Sequence, residues 1–408
     1  MRALAVARVV GSAALAAGSL GACMPTAGSS SAPAPRMAAA PVDSGTFMIR
    51  LGTDTLGVEH FVRSGDRLGG ELLSRLPRTQ WTAYTATLAP DGSVKHLELT
   101  RYSGPTSSSA VGQRTVVDFA GDSAVVSTTR RDSTRRQVVH ARAGTLPELG
   151  MFYSLSSLAA MRARAANRDT VTLSMLSIGD TTAQSVVYRR VGRDSLAWMA
   201  MGEDEITAQV DEGGRVIGLV APPTSTFKVT VTRVQGVDLA ALARDFAQRD
   251  AAGQALGSLS PMDSVTSTLG PAHLRVVYSR PARRGRTIFP NVVPWNQVWR
   301  TGANEATLLS TDRDLVIGGT PVPAGSYTLF TIPASSGWKL IISRETGQWG
   351  TNYHPDKDLA RVDMTTDVLP SPVDRFTIRV DPTGAPGAGA LRMSWDTLQA
   401  SVPITGKQ

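Results

Sequence analysis

The chain has one cysteine in 408 residues. That excludes an intramolecular disulfide and any cysteine-cluster zinc or iron–sulfur site, because each needs at least two thiols. Lysine is scarce too: of 42 basic residues only Lys95, Lys228, Lys339, Lys357 and Lys407 are lysine. Histidines number five (His60, His96, His140, His273, His354), scattered along the chain. There is no Gly-x-Ser-x-Gly elbow and no His-Glu-x-x-His, which argues against serine and zinc hydrolases. Gly318-Gly319-Thr320-Pro321 reads as a hairpin turn with no helix behind it, so no phosphate-binding loop is expected. No cofactor and no metal are expected. Beyond the N-terminus no apolar run reaches the roughly 18 residues of a membrane-spanning helix.

What is present suits a globular β protein. Hydrophobic residues make up 42% and aromatics 6% of the chain, enough for sizeable cores, and the length predicts two domains. The formal charge of +8 is spread over both halves with the signs mixed. Nucleic-acid binding wants basic residues gathered on one face, so no nucleic-acid partner is expected.

Residues 1–22 read as an export signal: Arg2 and Arg8, then a short apolar stretch over 9–20, then Leu20-Gly21-Ala22-Cys23. That quartet resembles the lipobox of bacterial lipoproteins. The resemblance implies a diacylglyceryl group on the Cys23 thiol and an N-acyl chain such as palmitate, more than stable anchoring needs. Met24 rather than Asp follows the cysteine, which by the same resemblance implies the outer membrane. Residues 23–45, rich in Pro, Ala, Ser and Gly, read as a tether unable to bury enough surface to fold.

A mainly β fold is expected thereafter. Phe47, Ile49 and Leu51 alternate with polar neighbours, and Tyr84, Ala86 and Leu88 lead through Pro90-Asp91-Gly92 into Leu97 and Leu99, a hairpin pattern. Further strand-like runs are 115–119, 123–128, 170–177, 184–191, 205–210, 215–220 and 226–234. Helical spacing is limited to Phe152, Leu155, Leu158 and Met161, and to Leu239, Leu242 and Phe246 behind Asp238. Residues 46–255 are therefore read as an antiparallel curled sheet or half-barrel with one or two helices. Residues 256–408, with strand candidates at 274–279, 306–310, 314–317, 325–332, 338–343, 376–380 and 391–395, are read as a jelly-roll-like β-sandwich.

Chemistry concentrates between residues 278 and 307. Arg280-Pro281, Gly285-Arg286, Pro294, the run Trp299-Arg-Thr-Gly-Ala-Asn-Glu-Ala-Thr307, the stretch 324–333, Trp338 and Trp349-Gly350 together resemble the secreted bacterial family catalogued as domain of unknown function 2911. The resemblance covers about residues 260–380, and the nine-residue run is its most specific part. It carries no assigned activity.

Read physically, Arg300, Asn304 and Glu305 set a guanidinium, an amide and a carboxylate around Gly302. They are candidate ligand-binding residues, with Trp299 or Trp349 as a stacking platform for a sugar. The bland alternative is an internal Arg300–Glu305 pair with Asn304 capping a turn. Arg280 and Arg286, with Arg283 and Arg284 beside them, form either an anion site or a solvated basic loop. Asp356, Asp358 and Asp363 lie near His354, but the spacing matches no calcium loop and a polar loop is the better reading.

The expected function is an envelope lipoprotein that binds a small polar or saccharide-like ligand or an envelope component, without catalysis. One alternative is a glycosidase-like hydrolase using Glu305 as acid or base. The other is a purely structural envelope protein.

Overall fold

The computed structural model describes residues 42–200, 204–220 and 228–407. The signal, Cys23 and most of the expected tether lie outside them. Two sheets make up the described chain, which is mainly β, and residues Pro41–Gln408 form one compact unit.

The first eight strands are β1 (Val42–Leu51), β2 (Asp54–Ser64), β3 (Arg67–Ser74), β4 (Gln80–Leu88), β5 (Val94–Tyr102), β6 (Val111–Ala120), β7 (Ser123–Arg130) and β8 (Ser133–His140). They form an unbroken antiparallel meander. After the short β9 (Leu146–Glu148) and the helix α1 (Tyr153–Ala165) come β10 (Thr170–Ser177), β11 (Gln184–Arg190), β12 (Ser195–Ala200), β13 (Asp204–Val210), β14 (Val216–Val220) and β15 (Thr230–Val234). β15 pairs with β1, giving one curled sheet ordered from β8 through β1 and β15 to β9. Among the described residues no ladder joins its two ends, so it is not a closed barrel. A single parallel bridge, His140 to Thr182, marks the seam. β1 opens at Val42, inside the expected tether, and Asp43 is held there by Arg233 at 2.5 Å.

The inner face carries the core. Phe47, Ile49, Leu72, Tyr84, Leu97 and Val117 meet Leu155, Leu158 and Ala159 of α1, which packs inside the curl. The second helix, α2 (Leu239–Ala251), begins at Asp238, whose side chain accepts a hydrogen bond from the Ala241 N–H as an N-cap should. It packs on the other face: Leu239, Ala243 and Phe246 cover Val58, Leu73 and Trp81. Neighbouring strand residues point to opposite faces, and here Leu72 and Leu73 are both buried, one under each helix. Strands sandwiched in this way lose the polar–apolar alternation of a half-exposed strand.

The second sheet contains β16 (Met262–Leu269), β17 (Ala272–Ser279), β18 (Thr307–Thr311), β19 (Leu315–Ile317), β20 (Thr320–Val322), β21 (Gly325–Ile332), β22 (Trp338–Ser343), β23 (Asp358–Pro382) and β24 (Ala388–Gly406). Its order is β16-β17-β18-β21-β22-β23-β24-β19-β20. The long β23 pairs with β22 through its first residues and with β24 through the rest, so it belongs to both halves of the sheet. Both halves line one core, built from Leu274, Val276, Leu309, Leu329, Leu340, Phe376, Met393 and Ile404. This is the sandwich-like arrangement expected of the C-terminal part.

Candidate functional site

The run Trp299–Thr307 is a tight loop held by its own backbone. Thr301, Gly302 and Asn304 have positive φ values of 54°, 147° and 58°, a region that favours glycine and asparagine. Thr301 is fully buried; its hydroxyl lies 3.2 Å from that of Thr331, and its carbonyl accepts from Thr307 Oγ1 at 2.7 Å. Gly302 sits against β17, where a Cβ would fall 2.9 Å from the Ser279 carbonyl.

The loop carries Arg300, Asn304 and Glu305 to the Trp349-Gly350 pair. The Gly350 N–H donates to the Asn304 carbonyl at 2.9 Å, and Glu305 forms a backbone bridge with Trp349. Gly350 has no room for a side chain: a Cβ would lie 2.6 Å from the Asn304 carbonyl and 2.8 Å from Arg300 Cδ. Asn304 Nδ2 donates to the Ser260 carbonyl at 3.3 Å. Glu305 is exposed, whereas Arg300 and Trp349 are half-buried.

Trp299 is placed differently. Its ring lies 5.0 Å from Phe376, 5.8 Å from Trp395 in a stacked arrangement, and 6.2 Å and 6.4 Å from Trp338 and Phe289. It is half-buried and packs against the core of the second sheet.

The arginine-rich loop is also engaged internally. Arg280 bonds Asp263 at 2.9 Å, the Phe376 carbonyl and Thr377 Oγ1; Arg283 lies 3.1 Å from Asp396. Arg284 forms an ion pair with Asp54 at the turn between β1 and β2, and its carbonyl accepts from the Thr53 N–H at 3.0 Å. Gly52, at φ 60°, permits this approach, since a Cβ there would sit 2.1 Å from the Arg284 carbonyl. Arg286 donates to the carbonyls of Arg283 and Ala282. Burial, and then the neighbouring Arg284 charge, lowers its pKa to about 10. The loop thus fastens the N-terminal sheet to the C-terminal one. Arg300, Asn304, Glu305 and Trp349 come together, while Arg280 and Arg286 are held on other partners.

The carboxylates near His354 are similarly committed. Asp358 binds Tyr353 and Arg361 at 2.7 and 2.8 Å, His354 meets Glu345 at 2.7 Å, Asp356 pairs with Lys357 and Asp363 with Lys339.

Two features were not picked out by sequence reasoning. The first is a groove of about 780 Å³ on the outer face of the second sheet. Strand register sets Thr266, Arg275, Ser310 and Ser326 directly opposite one another across β16, β17, β18 and β21, a row spanning roughly 14 Å at the usual strand spacing. Thr268 and His273 form a second row, their side chains 3.1 Å apart, and Asp312 accepts from the His273 N–H at 2.7 Å. The alternation of Ser264, Thr266 and Thr268 along one strand was the available signal.

The second is Glu59, fully buried in the N-terminal core. It accepts from Tyr84 OH and Ser154 Oγ, both at 2.6 Å, and from the backbone N–H groups of Tyr153 and Ser154 at 2.6 and 3.2 Å. A strand residue thereby caps the N-terminus of α1, where a carboxylate is favoured. Burial raises its pKa, opposed by these hydrogen bonds. The same burial, with the Glu59 charge beside it, pushes the Tyr84 phenol well above its usual range.

The fold is thus that of a mainly β protein with a curled N-terminal sheet and a C-terminal sandwich. Residues 260–404, the C-terminal part of the chain, match the family described as Protein of unknown function (DUF2911). No curated protein matches the chain. Among solved structures, a β-barrel-like protein of domain of unknown function DUF1849 from Brucella abortus aligns at 10% identity and a TM-score of 0.32, over 48% of this chain and 98% of that one. A DUF1089 family protein from Pseudomonas aeruginosa aligns at 15% identity and a TM-score of 0.25, over 44% and 91% respectively.

Proposed function

We propose that this chain is an exported, lipid-anchored protein of the cell envelope whose C-terminal sheet binds a small polar, saccharide-like ligand without transforming it. The observation that supports this reading is the groove across β16, β17, β18 and β21. Its volume of about 780 Å³ falls within the range of ligand clefts. Its outward rows offer four hydroxyls with one guanidinium, one imidazole and one carboxylate. Hydroxyls both donate and accept, matching the alternating groups of a sugar, and Arg275 supplies a planar fork for an acidic substituent. The groove lies on the sheet rather than on loops, so register fixes its spacing.

Titrating the full chain with a panel of neutral and acidic oligosaccharides by calorimetry tests the reading. Saturable binding is expected for at least one member, weakened about tenfold in Arg275→Ala, or ~1.4 kcal/mol. Binding that is indifferent to Arg275→Ala and Ser310→Ala would remove the groove from the account. A hydrolase remains the second reading because Glu305 is exposed beside Trp349. Turnover of a panel member, abolished in Glu305→Gln with affinity retained, would establish it.

The anchor rests on Leu20-Gly21-Ala22-Cys23. Cells fed labelled palmitate should incorporate it into the wild-type chain and not into Cys23→Ser, which should move from the membrane to the soluble fraction. Equal labelling of both would withdraw the anchor.

A further inference from the structure

The seam of the N-terminal sheet holds a separate polar cavity. His140 at the end of β8 and Arg142 just beyond it face Ser174 of β10 and Ala183 beside β11, around about 240 Å³. The three polar side chains of its lining are an imidazole, a guanidinium and a hydroxyl, with no carboxylate among them. Its walls are tied together. The Ala183 N–H donates to the His140 carbonyl at 3.0 Å, Arg142 Nη2 donates to Ser185 Oγ at 2.8 Å, and Ser174 Oγ lies 2.7 Å from Thr145 Oγ1. One of the five guanidinium N–H donors is used in that bond to Ser185, which leaves the fork able to turn further donors to a ligand.

The approach to the cavity is basic. β8 is the last strand of the sheet, and Arg130, Arg131, Arg135 and Arg136 on it and its hairpin are all exposed. With Arg142 they make five arginines between residues 130 and 142, against Asp132 alone. Asp122 and Asp180 stand in adjacent turns and contribute backbone carbonyls, to the Ala141 N–H and to Gln137 Nε2. Arg136 lies four residues from His140, roughly 13 Å along the strand.

We infer that this cavity binds a phosphate group, drawn in by the arginines of β8. Donors converge from β8, from the segment after it and from β10, which suits an anion with oxygens in several directions better than a flat carboxylate. Guanidinium and phosphate form paired hydrogen bonds of good geometry, and the strip of positive charge raises the local anion concentration. The phosphate is either free or part of a phospholipid headgroup.

Calorimetry on the full chain with inorganic phosphate at low salt tests the site. Saturable binding is expected, at least tenfold weaker in Arg142→Ala, partly kept in Arg142→Lys and weakened in Ser174→Ala, with unchanged circular dichroism. Sedimentation of the unanchored Cys23→Ser chain with phosphatidylglycerol vesicles, lost when Arg135→Ala and Arg136→Ala are added, identifies the headgroup as the source. Phosphate binding without sedimentation identifies the free anion. No saturable phosphate binding by the wild-type chain, or equal binding by Arg142→Ala, overturns the inference.

Discussion

Replacing Trp299 by alanine is expected to destabilise the C-terminal sheet by about 3 kcal/mol, the low end of the cost of truncating a large aromatic, because the ring is half-buried against the core. The ring meets Phe376, Trp395, Trp338 and Phe289 within 6.4 Å, and each aromatic pair adds about 0.5–1.5 kcal/mol beyond area burial. The backbone beside it matters as well: Trp299 and Thr331 exchange hydrogen bonds of 2.7 and 3.0 Å, which fix where the loop bearing Arg300 and Glu305 begins. Urea unfolding followed by near-ultraviolet circular dichroism measures the effect. A loss below about 1 kcal/mol, in the range of an ordinary substitution, with an unchanged aromatic spectrum, would mean that Trp299 does not pack against the core.

Glu59→Ala should cost a similar amount in the N-terminal sheet, about 3 kcal/mol, since each buried polar group left without a partner costs about 1–3 kcal/mol. The variant strips an acceptor from Tyr84 OH, Ser154 Oγ and the first N–H groups of α1. Glu59→Gln keeps an amide oxygen there and should be much milder. The two forms also differ in pH dependence. Burial sets the folded-state pKa of Glu59 above its ordinary value of 4.5, so the folded chain takes up the proton more readily than the unfolded one. That contribution is fully present below the unfolded pKa and is lost as pH rises through the raised folded value. Wild-type stability should therefore fall relative to Glu59→Gln as pH climbs from about 4 towards neutrality, a window set by the ordinary and raised carboxyl values. Parallel pH profiles in urea would contradict the burial argument.

Strands with one wet face were legible in the sequence. Phe47, Ile49 and Leu51 of β1 and the hairpin of β4 and β5 around Asp91-Gly92 follow the alternation of period two. β2 and β3 were not, because α1 and α2 bury both of their faces: Val58 and Leu73 lie under one helix while Leu56 and Leu72 lie in the core under the other. β16 escaped for the opposite reason, since Met-Asp-Ser-Val-Thr-Ser-Thr-Leu contains too little apolar residue to show a pattern. Of β23 and β24 only 376–380 and 391–395 could be read; residues 365–375 of β23 contain no buried side chain to set a pattern.

The site was legible as a cluster but not as a geometry. The run 299–307 and the Trp349-Gly350 pair do meet, yet the order of residues cannot say that Trp299 turns inward. The fate of the arginines was likewise invisible, because Asp54 and Asp396 are 230 and 113 positions away from Arg284 and Arg283. Charge summed over half the chain hid the five arginines of 130–142, which become one basic edge only when β8 ends the sheet. The groove depends on register, which sets Thr266, Arg275, Ser310 and Ser326 side by side from positions spread over 60 residues.

The most direct test of the proposed function is amide hydrogen exchange of the full chain with and without the oligosaccharide that binds best in the panel. Protection confined to β16, β17, β18 and β21, and absent in Arg275→Ala, is the predicted result. Protection centred instead on the 299–307 loop and Trp349, or no protection at saturating ligand, would contradict it.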